Sequence, residues 1–174
     1  MKTYLEIKVP LRYDAIWFEE LRRAFQQIEV KWQAGFFHIT MAFIDDTPED
    51  IDISIVLQKH LCSFPAPTLT FNKLDVFNAV SGMFIIYLTA TDIPQNYLSL
   101  VQNIRTELKN VGCVMNSVFR LHVTLGRIKD SLVMLSDIKQ IINKVSLPAF
   151  SLNLEDVDYR IFRGQTIYET KLNG

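Results

Sequence analysis

Cysteine, long apolar runs and charge of one sign are all scarce in this chain. Only two cysteines, Cys62 and Cys113, occur in 174 residues. They lie in no metal-type or redox spacing, which excludes a disulfide scaffold; both are expected as reduced, packed thiols of a cytoplasmic protein. The longest purely apolar run, Met83 to Leu88, is far too short for a membrane span. Met1 to Pro10 carries Lys2, Glu6 and Lys8 and no apolar h-region, so it reads as a strand and not as a signal peptide. A formal net charge of −1 does not supply the dense basic footprint needed to coat long nucleic acid, but leaves room for a local patch holding a small nucleotide or one RNA end. There is no Gly/Ser linker or low-complexity segment, hence no hinge between separately folded domains. A Gly-rich phosphate loop, a nucleophile elbow and a His/Cys/Asp/Glu cluster at metal spacing are missing as well. No cofactor, metal, membrane or obligate protein partner is called for.

What is there is periodic. Thr3 to Val9 alternates Leu5, Ile7 and Val9 against Glu6 and Lys8, the mark of a strand. Phe18, Leu21, Phe25 and Ile28 make the apolar stripe of a helix from about Asp14 to Ile28. A strand follows at Phe36 to Ile44. Thr47 as cap and Pro48 at the first helical position predict a helix to Cys62, with Ile53, Val56, Leu57, His60 and Leu61 as its stripe. Strands are expected near Thr68 to Phe77 and Met83 to Thr91, separated by Asn78 to Gly82. A helix runs from about Gln95 to Val111 with Gly112 as its stop, and a strand covers Phe119 to Ile128. A last helix spans Ser136 to Val145, and strands at Phe150 to Leu154, Tyr159 to Phe162 and Thr166 to Leu172 close the chain. The expected class is α+β (mixed α/β). Two antiparallel-rich sheets would line a central groove with helices outside. His38 and His122 stand 84 positions apart, each one helix after a strand. That spacing outlines a single domain over 1–174 built as a duplication, with lobes of about 1–78 and 79–174 between which strands can exchange.

The two histidines carry the chemistry. On strict alternation His38, Thr40, Ala42 and Ile44 share one face of their strand, and His122, Thr124, Gly126 and Ile128 share one face of theirs. The opposite faces are apolar. Each strand therefore presents His, then Thr, then a small residue that leaves room beside the pair. Threonine fills about one position in sixteen, so two of three histidines with Thr at +2 would arise by chance roughly 1% of the time. Two such faces opposed across a groove offer two imidazoles and two hydroxyls to one phosphate. Opening a cyclic phosphate needs a base for water and an acid for the departing ribose oxygen, and imidazoles near neutral pKa can serve as both. Threonine hydroxyls can donate to the non-bridging oxygens.

At these residues the chain resembles the 2H phosphoesterase superfamily, in its branch of 2′-5′ RNA ligase-like proteins and RNA 2′,3′-cyclic phosphodiesterases. Lys31-Trp32 followed by His38-Ile39-Thr40-Met41-Ala42-Phe43-Ile44-Asp45-Asp46, then Leu74-Asp75-Val76-Phe77 and Phe119-Arg120-Leu121-His122-Val123-Thr124-Leu125-Gly126-Arg127, are similar to that family's stretches, and the tail with Gly164 and Tyr168 is like its closing hairpin. The resemblance implies His38 as general acid, His122 as base, and Thr40, Thr124 and Arg127 as phosphate ligands. It implies a substrate with a cyclic phosphate, either an RNA 3′ end or a small nucleotide, and 2′-5′ ligation as a companion activity. Leu121 departs from the family's proline. Asp45-Asp46 departs from its Leu-Gly ending and adds negative charge near that rim.

Arg127 poses a difficulty, because strict alternation puts it on the apolar face; only a strand end, bulge or turn would bring it to the phosphate. His60 lacks the Thr partner and reads as a structural boundary residue. Lys31, Arg120 and Lys129 offer either a basic rim or ordinary solvated charge. Phe36, Trp32 and Tyr159 offer either base stacking or core. The competing functions are a non-catalytic binding module for AMP-like nucleotides and a hydrolase of other small cyclic or 2′-5′-linked nucleotides.

Overall fold

The computed structural model describes residues 1–79, 82–129 and 132–173; positions 80 and 81 of the expected break between strands lie outside them. Ten strands and four helices follow in the order β1 (Thr3–Val9), α1 (Ile16–Ala24), β2 (Lys31–Trp32), β3 (Phe37–Ile44), α2 (Ile53–Leu61), β4 (Thr68–Phe71), β5 (Lys73–Asn78), β6 (Phe84–Thr89), α3 (Gln95–Asn110), β7 (Val123–Ile128), α4 (Leu135–Ile142), β8 (Phe150–Asn153), β9 (Asp156–Ile161) and β10 (Thr166–Lys171). The α+β class and its antiparallel sheets are as expected.

The main sheet runs β10-β9-β1-β3-β7-β6-β5, with β2 added on β7. Its two halves meet along a narrow seam: β3 pairs β7 only at Ile39↔Val123, whereas β1 pairs β3 over seven residues. The C-terminal β9 pairs the N-terminal β1, and β5 pairs β6. One face of each half is covered by helices. Phe18 and Leu21 of α1, Leu57 and Leu61 of α2, Tyr97, Val101, Ile104 and Leu108 of α3, and Ile138 of α4 are all buried against Leu5, Ile7, Ile39, Val123 and Leu125. Each such side chain contributes about 1.5–3 kcal/mol on burial. That leaves the other face, with His38 and Thr40, free for a groove.

Several expected boundaries move. The helix expected from Pro48 begins at Ile53, because Asp52 is the working cap: its Oδ1 accepts from Ser54 N at 2.9 Å, while the Thr47 hydroxyl is buried without a partner. The strand expected over Thr68 to Phe77 is two strands in two sheets, since β4 pairs β8 and β5 pairs β6. Asn72 makes the break. Its amide donates to Thr91 Oγ1 at 2.8 Å and its carbonyl accepts from Thr91 N at 3.0 Å. Cys113 is packed as expected, whereas Cys62 is exposed. Among the described residues no helix is long and apolar enough to cross a membrane.

Candidate active site

Both motif strands carry a bulge at the same place, and the bulges decide what faces the groove. In β3 the register with β1 jumps from Glu6↔Thr40 to Leu5↔Ala42, which leaves Met41 unpaired. In β7 the register with β6 jumps from Tyr87↔Thr124 to Ile86↔Gly126, which leaves Leu125 unpaired. An extra residue inverts the alternation beyond it. Ala42, Ile44 and Ile128 therefore turn into the core. Gly126 turns with them: a Cβ there would lie 2.7 Å from Val30 Cγ1 and 2.9 Å from Trp32 Cε3. The small residues thus serve helix-side packing and do not make room beside the polar pair. Phe43 and Arg127, one position on, turn into the groove instead. The bulge removes the difficulty over Arg127.

The Met41 carbonyl, freed by its bulge, accepts from Arg105 Nη1 of α3 at 3.3 Å, and Arg105 Nη2 donates to the Ser117 carbonyl ahead of the second motif. One buried guanidinium thereby ties the first motif strand to the segment that enters the second. That segment is not a ladder strand. Because the halves splay at the seam, β7 begins at Val123, and His122, expected within the strand, stands just before it. It is held by local bonds: Thr89 Oγ1 donates to the Leu121 carbonyl at 2.7 Å, and His122 Nδ1 meets the Arg120 carbonyl at 2.9 Å. Since a carbonyl only accepts, that contact makes Nδ1 the N–H donor and leaves Nε2 with its lone pair.

The pair Ile39↔Val123 brings the motifs side by side, with His38 and Thr40 flanking it on one strand and His122 and Thr124 on the other. The groove beside them, about 870 Å³, is lined by Tyr4, Lys31, Gln33, His38, Thr40, Phe43, Met83, Arg127, Lys129, Phe162 and Arg163, so that of the second motif strand it takes in Arg127 but not His122 or Thr124. Arg127 Nη1 donates to Gln33 Oε1 at 2.8 Å. Its charge bears on both histidines. Burial lowers the His38 pKa to about 4, aided by the charges of His122, Arg127 and Arg160. Burial also lowers His122, opposed by its bond to Arg120 and aided by the Arg120 and Arg127 charges. Both rings rest neutral at pH 7.

The two rings differ in what backs them. His122 meets the edges of Phe77 and Tyr87, with ring centroids 5.5 and 6.0 Å away, and Arg120 lies over Phe77 at 4.9 Å. His38 has Glu6 Oε2 at 3.6 Å from Nε2, and Arg160 reaches Glu6 Oε1 at 3.4 Å. Lys8 pairs with Asp158 at 2.9 Å one step along. Glu6, Arg160, Tyr4 and Phe162 escape motif reading, because a Glu on the polar face of a first strand looks solvated. The signal was in the topology: β1 is flanked on both sides, so its polar face becomes the groove floor.

Of the other candidates, Lys31 and Lys129 do line the groove. Phe36 lies against His38 with Lys8 and Arg160 over its ring at 5.5 Å each. Trp32 packs edge-on to Phe18 and Phe25, and Tyr159 is buried with its hydroxyl accepting from Thr3. Those two are core, not stacking platforms. His60 bonds Glu107 between α2 and α3, away from the groove. Asp45 accepts from Asn116 N at 3.1 Å and Asp46 holds the Met1 amine at 2.8 Å. Their negative charge is thus spent on loop contacts, and neither residue lines the groove.

The model of the LigT-like phosphoesterase family matches residues 88–160, the stretch that holds the second motif. No curated protein matches the chain in sequence. Among solved structures, Escherichia coli LigT complexed with 3′-AMP is 17% identical over 99% of this chain and 98% of its own, with a TM-score of 0.64. TT0787 of Thermus thermophilus is 17% identical over 100% and 99%, at 0.69. Usb1 of Kluyveromyces marxianus is 9% identical over 99% and 98%, at 0.64. The chain thus resembles the LigT-like phosphoesterases in sequence over residues 88–160 and shares the fold of these solved structures throughout. The first motif lies outside the matched stretch; the β3–β7 seam is what brings it to the second.

Proposed function

We propose that the groove is the active site of a metal-independent phosphodiesterase that opens 2′,3′-cyclic phosphates on RNA ends or small nucleotides with water, and that forms 2′-5′ linkages when an RNA 5′-hydroxyl attacks in place of water. The observation that carries this reading is the single Ile39↔Val123 pair, which sets the two His-x-Thr motifs side by side. His122, neutral with its Nε2 lone pair free, takes the proton of the attacking water. His38 gives a proton to the departing ribose oxygen. Thr40, Thr124 and Arg127 donate to the non-bridging oxygens, where charge gathers in the transition state. Acid, base and counter-charge are all side chains of this chain. The neighbouring LigT has been crystallised with 3′-AMP, NADP+, ATP and phosphate, which supports a nucleotide ligand here.

The test is a panel of 2′,3′-cyclic mononucleotides, RNA ending in a cyclic phosphate, and 2′-5′ dinucleotides, each incubated in excess chelator with product regiochemistry recorded. Turnover of the cyclic phosphates to one phosphomonoester regioisomer is expected. Nucleotide binding without turnover of any of them would sink the enzymatic reading in favour of a nucleotide-binding module.

A further inference from the structure

Alternation along β1 turns Leu5, Ile7 and Val9 into the core and Tyr4, Glu6 and Lys8 to the opposite face. That face is closed over by β3 through Glu6↔Thr40 and by β9 through Glu6↔Asp158. Glu6 is 0% exposed as a result. Its Oε1 accepts from Arg160, but its Oε2 has no hydrogen-bond partner and points at His38 Nε2, 3.6 Å away. A carboxylate with one bare buried oxygen is costly to keep. A carboxylic acid in the same place is not, because its O–H has the imidazole nitrogen to donate to.

We propose that Glu6 is the positioning residue that stores and delivers the proton used by His38, a role that rests on the phosphoesterase reading above. In the reactive form, before substrate arrives, Glu6 is a neutral acid and His38 a neutral imidazole. An anionic phosphate beside Nε2 favours the imidazolium, so the Glu6 O–H bond breaks and its proton joins Nε2. The carboxylate left behind faces Arg160. The ring, whose Nδ1 has no hydrogen-bond partner, then turns Nε2–H from Glu6 to the groove; that bond breaks as the proton joins the departing ribose oxygen, and His38 is neutral again. The attacking water bonds to phosphorus and loses its proton to His122, which releases it to solvent. A solvent proton restores Glu6.

The groups facing Glu6 are Tyr4 and Lys8 of its own strand, His38 of β3, and Asp158 and Arg160 of β9. Lys8 is engaged by Asp158 at 2.9 Å, so Arg160 is the counter-charge that remains. Burial outweighs Arg160 and raises Glu6 to about 7, against about 4 for His38. A proton held by the pair therefore sits on Glu6, which is about half protonated at pH 7, and the two groups titrate as a unit.

Glu6→Gln keeps the shape and the Arg160 contact but cannot release a proton. With 2′,3′-cyclic AMP as the probe, kcat at pH 7.5 is expected to fall about ten-fold or more while KM stays within about two-fold. The alkaline limb of the kcat profile should move acidward by at least about one pH unit. A folded variant with the parent's pH profile overturns the proposal. Should the variant not fold, the parent decides: the Glu6 carboxyl carbon, followed by NMR, should titrate near pH 7, and titration below about pH 5, in the ordinary carboxylate range, overturns it. Absence of turnover in the parent would sink the phosphoesterase reading, and this role with it. Turnover with an unchanged profile would sink the role alone.

Discussion

The two motif strands share a triplet pattern, a bulge and a neighbouring strand, yet they surround their histidines differently. Behind His122 stand the aromatic rings of Phe77 and Tyr87 and a backbone carbonyl that fixes its tautomer. Behind His38 stands a set of ionisable groups, Glu6 and Asp158 buried and Arg160 and Lys8 half-buried. The same imidazole is thus given a fixed lone pair on one side and a proton source on the other. Environments that push paired groups toward opposite protonation states are how one site runs acid and base chemistry together. Motif identity sets the residues; the strands next door set the roles.

The largest test of that contrast removes the rings. His38→Ala and His122→Ala should each lower turnover about 10²–10⁴-fold, and the double mutant should be little worse than either single, because the pair acts as one unit. Turnover that survives both single changes would end the catalytic reading. Next, Arg127→Met should cost about 1.5–3 kcal/mol of transition-state stabilisation, while the matched change on the other strand, Phe43→Leu, should cost less. Equal losses in kcat/KM would show that the two bulge-turned positions are equivalent and that the asymmetry is not functional.

A third comparison concerns stability. Gly126→Ala pushes a methyl into Val30 and Trp32, for an expected loss of about 1–3 kcal/mol in denaturant unfolding. Ala42→Gly at the matched position should cost about 1 kcal/mol or less. A neutral Gly126→Ala would mean that β2 shifts freely against β7.

The smallest effect is in pH. His38, lowered to about 4, contributes stability that is present above 6.5 and lost as pH falls toward 4; Glu6, raised to about 7, contributes stability present below 4.5 and lost as pH rises toward 7. Between those limits the two oppose each other. Acidification from pH 6.5 to 4.5 should therefore lower the Tm of Glu6→Gln more steeply than that of the parent. Parallel Tm curves would show that the two groups do not offset one another.

Much of this was legible in the sequence because alternation is local. The strand at Thr3 to Val9, the motif strand to Ile44 and the helix over Gln95 to Asn110 needed only periodicity, and the paired His-x-Thr needed only counting. The bulges were not legible: Met41 and Leu125 look like ordinary strand residues, and only the partner strand's register shows them to be extra. Arg127 is the instructive case. Strict alternation put it on the wrong face, and that conflict was itself the sign of a bulge. Glu6 was invisible for another reason, since its burial is made by β9, which lies some 150 positions away in the chain. We also infer that the halves 1–78 and 79–174 are repeats that exchange their closing strands, β5 onto β6 and β9 onto β1; the motif spacing suggests the duplication, and which strands cross is carried by the pairings.

The matched bulges have a consequence for which changes in length this chain can survive. Each works like a frameshift in the code of faces: residues before it are read in one phase and residues after it in the other. Deleting Met41 or Leu125 would take out the extra residue itself. Plain alternation from Thr40 to Ala42, or from Thr124 to Gly126, would then keep Phe43 and Arg127 in the groove and Ala42, Ile44, Gly126 and Ile128 in the core. What such a deletion loses is one buried side chain and, at Met41, the carbonyl that holds Arg105. The bulges are therefore the places where these strands can give up a residue, since the register on either side is left as it was.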